Sequence, residues 1–360
     1  MARMRKPTPS FRFFVFAWIW LGAAEAGAGQ GVSTEAGRRL GWLDGAEGAS
    51  LQIDNDLFAG RRKDRDYTGG LGLTLSGEPA RDGWLSLDPL LSRLDRWSSG
   101  NRDSDVHFAR QFGLMAFTPG NTLATEALPG DRPYASLLFV SNGRVRVDAE
   151  DRGAWTSSLT VGVLGLSLSE RLHTTVHELV GSPTPQGYDH QISAGGEPTA
   201  RYTLARQKRW TADPSGPVEV KTTLQGSVGF LTETSASISF RAGRFHSPWW
   251  NFAPELTDYM SAPVPTARHP GGPELYAFLG ARIKARAYNA FLEGQFRESE
   301  VRFAPSETEP LLAEAWIGVA TEILGSAHLT YTLHYQTREL RHGPAARDAL
   351  WGAVQLKFSF

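Results

Sequence analysis

In the stretch Ala281-Arg282-Ile283-Lys284-Ala285-Arg286-Ala287, every even position is a cation and every odd position is apolar. Successive side chains of an extended strand point to opposite sides, so this alternation specifies a strand with two unlike faces. The pattern recurs at residues 329–336 and ends the chain at 354–360. Weaker versions cover 52–58, 71–76, 106–117, 134–147, 155–165, 200–210, 218–231, 235–244 and 291–301. About a dozen strands are therefore expected, with boundaries the least certain part of the reading.

What such strands build depends on the solvent. In water the apolar faces share a core, whereas in a bilayer they meet lipid and the polar faces line the interior. Alternation alone does not separate a soluble β-sandwich from a membrane barrel. The N-terminus contributes a compartment. Arg3, Arg5, Lys6 and Arg12 precede an apolar stretch at 13–24, and Ala24-Glu25-Ala26 or Ala26-Gly27-Ala28 fits a small-residue cleavage site. This reads as a leader over residues 1–28, with one domain over 29–360. The stretch is shorter than the roughly 20 residues of a helical anchor, and no later apolar run approaches that length.

Three features favour a closed antiparallel barrel in a bacterial outer membrane. The chain ends on an aromatic residue, Phe360, within a strand pattern. Trp155, Trp210, Tyr276, Tyr288 and Trp351 fall near expected strand ends, as interfacial girdles require. Short Gly-rich turns alternate with long connections at 77–105, 120–131, 247–272 and 338–348, which suggests short turns at one end and long loops at the other.

Composition narrows the chemistry. The 360 residues carry a formal net charge of −1 and no run of Lys or Arg of the kind that binds nucleic acid, so no nucleic-acid partner is expected. The absence of cysteine excludes disulfides, thiolate zinc sites and thiol nucleophiles. There is no G-x-S-x-G elbow and no Walker-type glycine loop.

One segment departs from the strand pattern. Within 169–180, Leu172, Val176, Leu179 and Val180 recur at helical spacing, and Gly181 and Pro183 stop the helix. His173 and His177 are one helical turn apart on the same face. A metallopeptidase reading fails because Thr174 stands where the H-E-x-x-H motif needs its glutamate. Two histidines alone do not complete a zinc shell, and solvated surface residues are the commoner outcome. A histidine here is also a candidate general base. On the first strand, Asp54 and Asp56 are expected on one face and Asn55 on the other unless the strand is bulged. Their oxygens suit a hard cation such as Ca²⁺, although a polar strand end is the simpler reading.

Several short motifs keep a fixed order along the chain. They are Asp54-Asn55-Asp56-Leu57-Phe58, Asp66-Tyr67-Thr68-Gly69-Gly70, Phe117-Thr118-Pro119, Asp131-Arg132-Pro133-Tyr134-Ala135, His177-Glu178-Leu179-Val180-Gly181, Gly187-Tyr188-Asp189-His190-Gln191 and Asn289-Ala290-Phe291-Leu292-Glu293-Gly294. With the terminal Phe360, this set resembles the lipid A 3′-O-deacylase family of outer-membrane barrels. The resemblance implies a monomeric twelve-stranded barrel among outer-membrane lipids, with a short active-site helix in an extracellular loop. It also implies a calcium-dependent carboxylic ester hydrolase that removes the 3′-linked acyl or acyloxyacyl chain of lipid A. By the same resemblance His177 is the general base, Asn55, Thr68 and His173 belong to the catalytic site, and Asp56 is the Ca²⁺ ligand.

Two departures from the family pattern stand out. His173 occupies the position where relatives carry Gln, and residues 120–129 contain no Lys or Arg where some relatives have a basic cluster. Arg61, Arg62, Lys63 and Arg65 in the first loop are candidate replacements for those cations. A non-catalytic pore or structural barrel, and an outer-membrane phospholipase, are the competing readings.

Overall fold

The computed structural model describes residues 45–360 apart from 61–63, 84, 100–104, 181–182, 212, 214–215, 268–271 and 324–326. The expected leader at 1–28 lies outside the described residues, as do three of the four first-loop cations. Twelve strands form one sheet: β1 (Ala46–Asn55), β2 (Asp66–Gly77), β3 (Asp105–Thr118), β4 (Ala135–Val147), β5 (Gly153–Leu164), β6 (Glu197–Arg209), β7 (Val218–Gly229), β8 (Leu231–Arg244), β9 (Leu275–Asn289), β10 (Leu311–Ile323), β11 (Ala327–Gln336) and β12 (Ala349–Ser359). Each strand pairs antiparallel with the next. β1 pairs with β12 from Gly48↔Ser359 to Asn55↔Gly352, which closes the barrel and leaves no sheet edge.

The faces are inverted relative to a water-soluble protein. On β9, Leu279 and Ile283 are exposed, while Arg282, Lys284 and Arg286 are buried. On β10, Ile317 and Val319 face outward, and Glu314 and Trp316 face the lumen. A sheet that shows its aliphatic residues to the surroundings and hides its charges is built for lipid. Inside, the charges compensate one another. Glu314 accepts hydrogen bonds from Arg282 and Lys284. Arg282 also meets Asp258 at 2.8 Å, and Arg286 meets Glu233 at 2.7 Å.

Expectation and structure differ in four places. Residues 291–301 are not a strand. They begin with a short helix, Ala290–Glu293, and the missing strand is β10. β10 escapes a period-two reading because Leu312, Trp316 and Ala320 are apolar yet point into the lumen. Secondly, Tyr276 packs inside against Phe252 and Phe278, and Trp351 is no interfacial girdle residue either. It is buried in the lumen, stacked on His334 with ring centroids 5.1 Å apart.

Thirdly, the long connections divide between the two ends. Those at 119–134 and 337–348 lie at the end away from the chain termini (the distal end), whereas those at 78–104 and 245–274 lie at the terminal end. The 245–274 connection turns back into the lumen. Trp249 and Trp250 pack on Val145, Val147 and Ala154, and the Thr266 amide donates to Ser76 Oγ at 2.8 Å. Its midpoint, Tyr259, reaches the distal end and packs against Tyr67, Phe117 and Trp351. Gly143 on β4 lets this segment lie against the wall, since a Cβ there would overlap the Pro263 carbonyl oxygen. Two of the spaces left inside measure about 50 and 90 Å³. The folded-back segment occupies lumen that an open pore would need.

The 78–104 connection instead covers the outer wall through α1 (Glu78–Asp82) and α2 (Asp88–Ser99). Asn142 donates to the Ala80 carbonyl at 2.8 Å, Arg144 pairs with Asp88, and Ser157 donates to Asp95 at 2.8 Å. These wall residues share a face with the exposed Leu138, so the helices cap polar wall at the terminal end. Fourthly, β1 ends at Asn55, so only Asp54 faces the lumen, where it accepts from Tyr67 Oη at 2.8 Å; Asp56 has already left the strand.

Two substitutions test this inversion. Ile283→Arg is expected to cost roughly 2–4 kcal/mol in a bilayer, where a soluble protein would tolerate it, and urea unfolding of liposome-embedded protein measures the loss. Glu314→Ala leaves Arg282 and Lys284 buried without their shared carboxylate. It is expected to cost about 3–5 kcal/mol in the same assay.

Candidate active site

Two connections at the distal end meet over the barrel wall. The first joins β1 to β2. Asn55 caps its opening turn (Asp56–Ala59) by accepting the Leu57 amide at 2.8 Å, and Gly60 closes the turn in the left-handed region at φ 75°. Asp56 is buried, and its Oδ2 accepts the Arg65 amide at 3.1 Å, which ties the end of the connection back to its start. β2 then opens with a bulge between Tyr67 and Gly69. The bulge places Thr68 outside the regular register, where its hydroxyl bonds that of Thr118 at 2.6 Å. Bulges of this kind re-aim side chains beside functional sites.

The second connection, 165–196, carries α3 (Ser167–Val180) and the short helical turn Tyr188–His190. α3 turns its histidine face inward and leaves Leu168 and Leu172 exposed. His177 Nδ1 donates to the Pro183 carbonyl at 2.6 Å. A carbonyl only accepts, so Nδ1 carries the proton and Nε2 is the reactive nitrogen. His177 Nε2 lies 2.7 Å from Asp64 Oδ2 on the first connection. His173 shares a 2.7 Å hydrogen bond with the Tyr188 hydroxyl through Nδ1, and its Nε2 lies 3.7 Å from the same Asp64 oxygen. The two imidazoles meet edge to face at 4.4 Å. Gly187 at φ 78° turns the chain so that Tyr188 tucks under α3, where it packs on Tyr134 at 4.3 Å.

Electrostatics follow from this geometry. The hydrogen bond to Asp64 raises the His177 pKa against the opposing effect of burial; Pro183 and the nearby Asp56 charge add to the rise. Burial opposes ionisation of Asp64, but the two histidines outweigh it and hold its carboxyl well below the usual range. Burial keeps Tyr188 a neutral phenol.

The structure thus brings His173 and His177 together around Asp64, and the Asp56 charge adds to the rise in the His177 pKa. Asn55 and Thr68 sit on the facing strand ends. Among the described residues their side chains engage Leu57 and Thr118 rather than either histidine. Three participants were not singled out from sequence: Asp64, Thr118 and Tyr188. Asp64 stands out in hindsight as the single acid within Arg61-Arg62-Lys63-Asp64-Arg65, and the other two lie inside motifs already noted.

A hard cation suits Asp56, an anionic oxygen donor held on a capped and buried turn. The histidine nitrogens suit a softer ion.

Comparison with known proteins places this geometry. The family of the outer membrane protein LpxR matches residues 14–360. The chain belongs to the LpxR family. The solved structure of LpxR from Salmonella typhimurium aligns over 87% of this chain and 100% of that chain, with TM-score 0.67 and 16% identity. The beta domain of the Bordetella autotransporter BrkA covers 88% of the chain at TM-score 0.41 and 12% identity. The KdgM porin covers 87% at 0.37 and 5%. Only the first is close enough to describe the same fold, a twelve-stranded outer-membrane barrel. No curated protein matches the chain.

Tyr188→Phe removes the hydroxyl that fixes the His173 ring. It is expected to destabilise the distal connection by about 1–3 kcal/mol, as a lost buried partner does, and the urea midpoint of the detergent-folded barrel reads the change.

Proposed function

We propose that this protein is an outer-membrane lipid A 3′-O-deacylase. The observation that carries the reading is the location of His177. It sits on a helix at the lipid-facing rim, with its Nδ1 proton locked on Pro183, its Nε2 turned toward the first connection, and Asp56 nearby. Membership of the LpxR family supports the same reaction.

In the resting arrangement Asp64 occupies the position in front of His177 Nε2. Catalysis through His177 requires a water molecule to replace that carboxylate, so that Nε2 takes the water proton while the oxygen attacks the ester carbonyl. Base assistance of this kind is worth about 10²–10⁴-fold. The imidazolium formed is held by the Pro183 carbonyl and the neighbouring carboxylates, then returns its proton to the departing sugar oxygen. Asn55 shapes the turn that presents Asp56, and the Thr68–Thr118 pair fixes the strand end opposite α3. Asp56 would hold Ca²⁺, which supplies electrostatic stabilisation of charge developing on the ester oxygen. Leu168 and Leu172, exposed on α3, would meet acyl chains. On this reading the distal end faces the cell exterior, where lipid A resides, and Arg65 is the described remnant of the first-loop cations that would contact its phosphates.

Expression in a Gram-negative host is expected to shift lipid A to lower mass by one acyl or acyloxyacyl group. His177→Ala should lower acyl release by at least about 100-fold with the barrel still inserted, the lower figure for loss of base assistance, and Asp56→Ala or a chelator should suppress the shift by removing the cation that stabilises the oxyanion. An unchanged lipid A spectrum from correctly inserted wild type rejects the proposal. Loss of acyl chains from glycerophospholipid alone reassigns the substrate.

A further inference from the structure

His173 and Asp64 have no necessary part in the reaction just described, yet His173 and His177 converge on the same Asp64 oxygen. The ligand atoms of Asp64, His173 and His177 lie within 4.8 Å of one another. We propose that these three residues form a binding site for a borderline divalent transition-metal ion of the Zn²⁺ class, and that its occupancy takes His177 out of use as a base. The second half rests on the proposed deacylase reaction; the first does not.

The geometry argues for a metal in three steps. His177 Nδ1 must donate to Pro183, so Nε2 points a lone pair at Asp64 Oδ2 from 2.7 Å, and only a cation can sit between two such donors. A proton is one candidate and a metal ion the other. Secondly, His173 Nε2 is buried in a side chain that is only 10% exposed, has no hydrogen-bond partner and lies 3.7 Å from the same oxygen. Its Nδ1 bond to the Tyr188 hydroxyl leaves Nε2 available as a ligand when Tyr188 accepts. Both imidazoles are thus held at Nδ1 by an outer partner, a phenol in one case and a carbonyl in the other, as metal-bound histidines are.

Thirdly, the spacing is right. Ligands about 2.0–2.2 Å from a tetrahedral zinc stand a little over 3 Å apart. The observed 2.7 and 3.7 Å bracket that separation, so small side-chain rotations suffice. Two imidazoles and one carboxylate favour a borderline ion over Ca²⁺, whose shell is oxygen. Asp56 is outside this set, so the two ions have different ligands. His173 is what supplies the second nitrogen.

The test uses the whole chain folded in detergent and stripped of metal, with folding verified by heat-modifiable gel mobility. Titration with Co²⁺ alone is expected to give the visible absorption of a tetrahedral ion, displaced by Zn²⁺, and X-ray absorption of the Zn²⁺ form should show nitrogen ligands at about 2.0–2.1 Å. His173→Gln and Asp64→Asn should each weaken Zn²⁺ binding by at least tenfold, roughly the smallest loss expected even for an outer partner. His342→Gln, an exposed histidine elsewhere, should leave the spectrum unchanged. Folded wild type that gives no tetrahedral Co²⁺ band, or His173→Gln that binds Zn²⁺ as tightly as wild type, overturns the site.

Acyl release in excess Ca²⁺ tests the consequence. Zn²⁺ should inhibit the wild type, and His173→Gln should need at least tenfold more Zn²⁺ for the same inhibition, in step with its weaker binding. Full activity with the site saturated, or stimulation by Zn²⁺, overturns the inhibitory role. If Zn²⁺ binds as described and the Zn²⁺-free protein releases no acyl chain in excess Ca²⁺, the deacylase reading fails and the metal site stands.

Discussion

Pairing of β1 with β12 is the constraint on which the remaining structure depends. A strand in hydrocarbon has no water to bond its backbone, so the sheet must satisfy every amide and carbonyl internally, and only closure does that for the outermost strands. Closure in turn creates a lumen, and the lumen dictates which residues the strands can carry. Outward positions become aliphatic and inward positions are free to be charged. The arginines and lysine of β9 are stable in the interior only because Glu314, Glu233 and Asp258 lie within reach.

That interior is a packed core built from polar material. The 245–274 connection brings a second layer into the barrel, and Tyr259 at its midpoint joins Tyr67, Phe117 and Trp351 beneath the distal connections. Tyr259 also donates to Glu339, which accepts from Arg132 and Arg286 as well. One carboxylate therefore links the β11–β12 connection, the β3–β4 connection, the wall at β9 and the plug. A floor fixed from four directions gives the connections above it a rigid base, which suits a site where a histidine must be held to within a fraction of an ångström.

Above that floor, the chemistry turns on what stands before His177 Nε2. Pro183 fixes the tautomer, so the nitrogen always offers itself to the same point in space. Asp64 holds that point in the resting structure; in the proposed hydrolysis a water molecule takes it, and the proposed metal ion held with His173 would deny it to that water. The first connection thus contributes two carboxylates with different surroundings. Asp56 is buried on a capped turn where it accepts the Arg65 amide, and Asp64 faces two imidazoles.

Much of this architecture was legible in the chain itself. Alternation identified eleven of the strand regions and the aromatic terminus suggested a membrane wall, because period-two patterning reports directly on two-faced strands. β10 was hidden because its lumenal residues are apolar, and the plug because a long connection looks the same whether it lies outside a barrel or inside it. The family resemblance implied Asn55, Asp56, Thr68, His173 and His177 as a group. Sequence spacing could not pair them: Asp64 and His177 are remote along the chain, and only closure of β1 through β6 into a cylinder sets their two connections side by side. The chain by itself determined which faces meet lipid, since that is written residue by residue in polarity. The tertiary structure decided which carboxylate meets which histidine, since that depends on where separate connections converge in space.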